Sequence, residues 1–378
     1  MRIGFVGRYP PIHCGVAEYT RMLATFIKSI SPSSDIVIFS TNELTNNSYL
    51  EKESKVKVYP SFRRLDNSYD SLVNCINNVG KVDILHVQHE YGIFGASTEL
   101  LKALKEIKEL KLAKATVITM HTVHHPLAGY HDAIDFQRRL NEYVDLVIVH
   151  SRLQEFELQV QGVNIGKIRR IPHGTLLNPY LGVPRNELLS SLGVNGNISK
   201  PLLVLPGFIR RDKGIDVLLK SFDKLSKKPV LLIAGEPQDY DVLKIIEDNR
   251  RYVILLRKYL SSDEILKVTA SADIVVMPYR DKPGTYSVSG ILHLSMGALK
   301  PIIGTRVPRL IELYENAHRL TVTPENHIEL AKVIEWTLKH YDYAVVYAST
   351  LYSYAVRVQW ARMARRHLRV YRELLRSN

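Results

Sequence analysis

Two segments of the chain combine residue types that can meet a phosphate. The first is Gly207-Phe-Ile-Arg-Arg-Asp-Lys-Gly214, which follows an apolar run at 201–205. Arg210 and Lys213 supply charge-assisted donors that can clamp a diphosphate. The second is Ser287-Val-Ser-Gly-Ile291, which opens an amphipathic stretch ending before Pro301. Ser287, Ser289 and Gly290 are expected to leave the first amides of that helix open. Together with the positive end of the helix dipole, such amides make an anion site. Glu236 and the turn at Tyr259-Leu260 fall on the same rim, each just beyond an apolar run. The residues leave two plainer alternatives, a capped helix and a salt-bridged surface turn.

A second group of polar residues gathers earlier in the chain, where nine of the 14 histidines precede residue 174. The loop from Gly7 to Thr20 carries Arg8 and His13, and Gly15 lets backbone approach a ligand closely. It lacks the G-x-G-x-x-G of dinucleotide sites and the Walker pattern. His86-Val-Gln-His89-Glu90-Tyr91, His121-Thr-Val-His124-His125 and Ile171-Pro-His173-Gly174 each end an apolar run. The spacing matches no zinc motif, and the residues do not share a helix face. Imidazoles at strand ends suit hydrogen bonding to sugar hydroxyls or proton steering. His86, His124 and His150 read equally well as core histidines.

Alternating strands and helices must position these groups. Strands are expected at 2–6, 35–39, 55–59, 83–87, 116–120, 145–149 and 168–171, with helices at 17–30, 98–110 and 133–142. Several strands are apolar almost throughout, as in a parallel sheet covered on both faces. The stretch 176–200 breaks the alternation with prolines, glycines and asparagines and reads as an inter-domain connection. Strands resume at 201–205, 230–233, 252–255, 274–277 and 301–303. The expected fold class is therefore α/β, with two doubly wound Rossmann-like domains facing a central cleft. The first domain covers 1–175, the second 201–354, and a terminal helix at 355–378 returns to the first.

Composition bounds the rest. The chain has 378 residues and 46% hydrophobic content, enough for two cores. Two cysteines, Cys14 and Cys75, make no disulfide framework and point to a reducing compartment. The chain opens on a strand rather than a leader, and no apolar run reaches membrane-spanning length. A cytoplasmic location is expected, with peripheral contact at the inner membrane face as an option. The net charge of +13 suits an anionic ligand, an acidic membrane surface or nucleic acid. No nucleic-acid module is visible. The terminal helix is basic and amphipathic; it can dock on its own protein or lie on anionic lipid.

In combination and in this order, the motifs Tyr9-Pro-Pro…Cys14-Gly15, His86-Val-Gln-His-Glu-Tyr-Gly92, Met120-His-Thr122, Ile171-Pro-His-Gly174, Gly207-Phe-Ile-Arg…Lys213-Gly214 and Val288-Ser-Gly-Ile…Pro301 make the chain resemble the family 4 glycosyltransferases of the GT-B fold over nearly its whole length. The resemblance implies retaining transfer of a hexosyl unit, mannosyl or glucosyl, from a nucleotide diphosphate sugar, with no cofactor and no essential metal. It places Gly15 beside the donor phosphates and His121 against the transferred sugar. Arg210, Lys213 and the amides of Ser289, Gly290 and Ile291 would hold the diphosphate, with Tyr259 and Leu260 bordering the base. Arg8, His13, His89, Glu90, Tyr91 and His173 are the candidates for sugar or acceptor contact.

Members of that family usually carry two glutamates eight residues apart around the helix start. Those positions are Tyr286 and Leu294 here, the pattern of a subset with a Ser-Gly turn. Phe208 stands where an arginine is often found, and Arg210 would substitute for it. The expected mechanism is electrostatic: cations and amides meet charge developing on the departing phosphate in a cleft that domain closure gates. The expected partners are a GDP- or UDP-linked sugar and a glycan, lipid-linked or small-molecule acceptor. A sugar-nucleotide epimerase, a glycan phosphorylase, or a non-catalytic nucleotide-sugar-binding protein is the alternative on the same frame. Incubation with labelled donor separates them.

Overall fold

The computed structural model describes residues 1–377; Asn378, the last residue of the expected terminal helix, lies outside them. Among the described residues the chain forms two compact units. The first comprises 1–174, 283–288 and the segment from Trp360 onward; the second comprises 175–282 and 289–359.

The first unit contains the strands β1 (Arg2–Val6), β2 (Asp35–Thr41), β3 (Tyr49–Leu50), β4 (Lys57–Phe62), β5 (Val82–His89), β6 (Ala113–Met120), β7 (Thr122–His124), β8 (Leu146–Val149) and β9 (Ile168–Arg170). Eight of them form one sheet in the order β3-β4-β2-β1-β5-β6-β8-β9, parallel except where β3 meets β4. Their central residues are buried on both sides, Ile3, Phe5, Ile84, Leu85, Val117 and Ile118 among them, which is why the runs read as apolar without alternation. The direction of strand progression reverses between β1 and β5, making that gap the topological switch point.

The second unit contains β10 (Leu202–Pro206), β11 (Val230–Ala234), β12 (Val253–Leu256) and β13 (Ile274–Met277). It resumes, after β14 (Thr285–Ser287), with β15 (Ile302–Thr305) and β16 (Thr321–Val322). The order β12-β11-β10-β13-β15-β16 is parallel throughout, with its switch point between β10 and β13. Two apolar clusters cover the two faces of this sheet, one around Val204, Leu232 and Val275, the other around Leu203, Leu205 and Ile233.

Three elements depart from the sequence expectation. The 176–200 stretch, read as a connection, folds into the second unit: Leu189, Leu192 and Val194 enter its core, so the apolar content of this Pro/Gly-rich segment decides its place. Residues 283–288, placed in the second domain by their position in the chain, group with the first unit. There β14 pairs antiparallel with β7, Ser287 opposite Thr122. The terminal helix begins at Trp360 rather than 355, because the helix Tyr341–Arg357 ends first. It docks by its apolar face. His86 Nδ1 lies 2.6 Å from Tyr371 Oη, and Trp360, Met363, Leu368 and Tyr371 are buried.

Candidate active site

In the second unit the loops leaving β10, β11 and β13 converge at the switch point, held close by glycines. A Cβ at Gly214, where φ is +65°, would lie 1.9 Å from the Pro278 carbonyl oxygen; one at Gly235 would lie 2.0 Å from that of Gly207. The β10 loop therefore sits directly against the end of β13. This contact carries Lys213 to Tyr279. Lys213 Nζ donates to Tyr279 Oη at 2.7 Å and lies 3.9 Å from the ring centroid. Tyr279 Oη stands 3.4 Å from Ser289 Oγ, which links the loop to the start of the helix Gly290–Ser295.

Around Lys213 stand two arginines and one carboxylate. Arg210 donates to Asp212 through Nε at 2.9 Å and Nη2 at 2.7 Å. Arg309, on the 3-10 turn that follows β15, donates to the same carboxylate at 2.8 Å, and its guanidinium lies 5.5 Å from the Tyr279 ring centroid. Two guanidiniums thus share one carboxylate, with the Lys213 amine near enough to act on it electrostatically. Burial opposes ionisation of Asp212, yet Arg210, Arg309 and Lys213 hold its pKa at about 2. Lys213 is 3% exposed. Burial, then the field of Arg309 and Arg210, pushes its pKa well below the usual lysine value, against the pull of Asp212. An oxyanion placed here would meet surplus positive charge in a desolvated setting. An open cavity of about 460 Å³ adjoins the cluster, lined by Arg210, Asp212, Gln238, Asp239, Arg280 and Lys282 among others.

Several expectations need correction. The helix expected to begin with open amides is capped: Ser289 Oγ accepts from Leu292 N at 3.3 Å, as a serine at this position ordinarily does. The helix is six residues long. Ser287 belongs to β14, not to the helix start. Arg210 is engaged by Asp212, the pairing of the salt-bridged turn that the residues left open. Leu260, expected beside the base, is 4% exposed and part of the core. The other rim residues sit as follows. Tyr259 is half-buried with its ring 5.9 Å from Phe208. Glu236 accepts from Ile209 N through its backbone oxygen at 3.0 Å. Gly290 and Ile291 are half-buried, and Ile291 packs close above Gly207.

One of the helices whose start carries no side-chain cap is Gly15–Ile30 in the first unit, preceded by Cys14 in extended conformation. Gly15 is exposed, with open space where a Cβ would stand. Its loop leaves β1 at that unit's switch point. His13 is exposed, while Arg8 is ion-paired with Glu43. Across the switch point, at the end of β5, Gln88 Oε1 lies 3.0 Å from His121 Nε2. Tyr19, on the same helix, gathers His121, His150, His173 and Trp360 at ring-centroid distances of 4.8 to 5.1 Å. Burial, then the nearby His150 and His89, keeps His121 neutral near pH 7. A neutral imidazole can accept or donate to a hydroxyl without a charge penalty.

His89, expected to contact sugar, is instead a core residue. It is fully buried, stacked against Phe136 and Phe94 at 4.5 and 5.6 Å, and pushed down to a pKa of about 3 by burial. Glu90 accepts from Thr122 Oγ1 at 2.8 Å, and Tyr91 donates to Gln137 at 2.9 Å, so both brace the β7 segment. His173 Nδ1 lies 2.8 Å from the Gly174 carbonyl. His86, His124 and His150 are buried. Cys14 and Cys75 are unpaired thiols. Among the described residues no group of three His, Cys, Asp or Glu side chains is placed to hold a metal, and no helix is long and apolar enough to cross a membrane.

Tyr279 and Arg309 escaped the sequence reading. Tyr279 closes the Met-Pro-Tyr at the end of β13, a position whose meaning depends on the switch point. Arg309 is distant in sequence, and only the parallel pairing of β15 with β13 brings its turn to Asp212.

Comparison with known proteins agrees with this architecture. Residues 200–340 match the family described as Glycosyl transferases group 1. An uncharacterized glycosyltransferase of Methanocaldococcus jannaschii is 22% identical over 214 residues, 53% of each chain. The chain spans about half or less of the length of the curated relatives it matches. Sucrose-phosphate synthase from Thermosynechococcus elongatus superposes with a TM-score of 0.78 at 16% identity, with 100% of both chains covered. HepE of Anabaena, solved in complex with UDP, superposes with a TM-score of 0.75 at 16% identity over 99% of this chain and 100% of its own. It has also been solved with UDP-glucose. The fold is that of the GT-B glycosyltransferases, and the match to glycosyl transferases group 1 falls mostly within the second unit.

Proposed function

We propose that the protein is a glycosyltransferase that moves a hexosyl unit, glucosyl or mannosyl, from a nucleotide diphosphate sugar to an acceptor hydroxyl, with retention at the anomeric carbon and no metal requirement. The second unit holds the donor and the first unit the acceptor. One observation carries the reading: Arg210 and Arg309 both hold the Asp212 carboxylate, with Lys213 close by, at the switch point of a unit whose residues match the group 1 family. The acceptor is a glycan, a lipid-linked sugar or a small polyol. UDP and UDP-glucose in the HepE complexes favour a uridine donor.

In the proposed reaction the bond from the anomeric carbon to the diphosphate oxygen breaks and a bond from that carbon to the acceptor oxygen forms. The acceptor proton passes to the departing phosphate. The barrier is charge developing on that phosphate. Lys213, whose proton burial makes easier to lose in the empty site, holds it more firmly against that charge. Arg210 and Arg309 turn part of their hydrogen bonding from Asp212 to the phosphate oxygens. Donors of this kind, fixed in a desolvated site, each contribute roughly 3 kcal/mol to the transition state. His121, neutral near pH 7, is the residue we assign to hydrogen bonding of the transferred sugar.

Tyr286 and Leu294 occupy the positions of the usual glutamates, and this favours one second reading, a nucleotide-sugar-binding protein without turnover. A melting-point screen against UDP, GDP and ADP tests the shared premise, because a ligand held only by the folded state raises the midpoint. UDP is expected to give the largest shift. No shift from any diphosphate contradicts both readings. Binding of labelled UDP-glucose with neither transfer nor slow hydrolysis selects the second.

A further inference from the structure

The last helix, Trp360–Ser377, divides cleanly into two faces. Trp360, Met363, Ala364, His367, Leu368 and Tyr371 are buried in the first unit. Arg362, Arg365, Arg366, Arg369, Arg372 and Arg376 are all exposed. Their spacing returns every three or four residues, so they lie along one side of the helix. From Arg362 to Arg376 the row extends about 21 Å at 1.5 Å per residue. Glu373 is the one carboxylate on this helix, so the segment supplies five of the net +13 charges of the chain. The catalytic proposal uses none of these arginines.

We propose that this face binds the surface of an anionic lipid bilayer by charge alone, with the helix remaining docked. Insertion of the apolar side is ruled out while the fold is intact, since that side is already covered. A straight row of guanidiniums on a convex helix presents its charges to a flat array of headgroup phosphates. Nucleic acid fits less well, because among the described residues no aromatic side chain is exposed along the row for a base to stack on. Each basic residue near such a surface strengthens attachment about fivefold, and the attraction fades within a Debye length.

The test is co-sedimentation of the full chain with phosphatidylcholine vesicles and with vesicles that also contain phosphatidylglycerol. The chain is expected to bind only the anionic vesicles at low salt and to leave them at high salt. A triple variant with Arg365→Gln, Arg369→Gln and Arg372→Gln, all at exposed sites, is expected to keep its melting point and lose about a hundredfold in vesicle affinity. Unchanged binding by the variant overturns the proposal, as does binding that salt does not weaken. So does retention of the wild-type chain on duplex DNA with no retention on anionic vesicles. None of these readouts depends on sugar transfer, so failure here leaves the enzymatic proposal untouched, and the reverse also holds.

Discussion

Lys213 and Tyr279 form a buried pair in which the ammonium nitrogen donates to the phenol oxygen at 2.7 Å while lying over the ring. The tyrosine is 1% exposed and anchored at its own backbone, where Thr305 Oγ1 donates to its carbonyl at 2.6 Å. The lysine is therefore aimed by a rigid partner. Tyr279→Phe keeps the ring and removes the acceptor. Its kcat/KM for donor is expected to fall about tenfold, the scale of one hydrogen bond to a charged group, with the melting point nearly unchanged. An unaltered kcat/KM would show that the tyrosine does not position Lys213.

Protonation of Lys213 should be linked to nucleotide binding. Burial lowers its affinity for a proton in the free protein, and a neighbouring phosphate restores it. Binding of UDP near pH 8, where the nucleotide is already ionised, is then expected to take up protons and to weaken as pH rises further. Calorimetry in buffers of different ionisation enthalpy reads this directly. Proton release on binding, or heats independent of buffer, would contradict it.

Glu312 supplies a separate pH effect. Burial raises its pKa to about 7, with His293 Nε2 3.8 Å from its carboxylate. Its unfolded value is about 4.3, so between these values the folded state holds the extra proton and stability falls as pH rises. Glu312→Gln should flatten the stability profile across that window and make the variant relatively more stable above pH 7. Parallel urea midpoints for both proteins from acid to alkaline pH would argue against a buried, protonated Glu312.

Gly174 has no room for a side chain. A Cβ there would lie 2.1 Å from the Trp360 ring, which begins the arginine-rich helix. Gly174→Ala is expected to cost roughly 1–3 kcal/mol, the usual penalty for overpacking, and to loosen that helix first. Hydrogen exchange of the amides in 360–377 measures it. Wild-type protection in the variant would show that the contact relaxes at little cost.

Much of the fold was legible because parallel strands buried on both faces leave continuous apolar runs: β1, β6, β10 and β13 lie where composition put them. The two- and three-residue strands β3, β7, β14 and β16 were not, since their pairing is set by distant partners rather than by their own residues. The site divides in the same way. Arg210 and Lys213 stand out in a glycine-bounded loop. The cap of the 290–295 helix was misread because Ser289 supports both an open and a closed start, and only the geometry of its hydroxyl decides. Burial separates His89 from His121, two histidines that look alike in sequence, and a single motif carries no record of which aromatic rings close over it.

The measurement that bears most directly on the diphosphate grip is calorimetric titration of UDP and of uridine onto the wild-type chain and onto Lys213→Ala. The wild-type protein is expected to bind UDP at least about a hundredfold more tightly than uridine, and the variant to bring the two within about tenfold at an unchanged melting point. Equal affinity for UDP in both proteins would place the phosphates elsewhere and contradict the role assigned to Lys213.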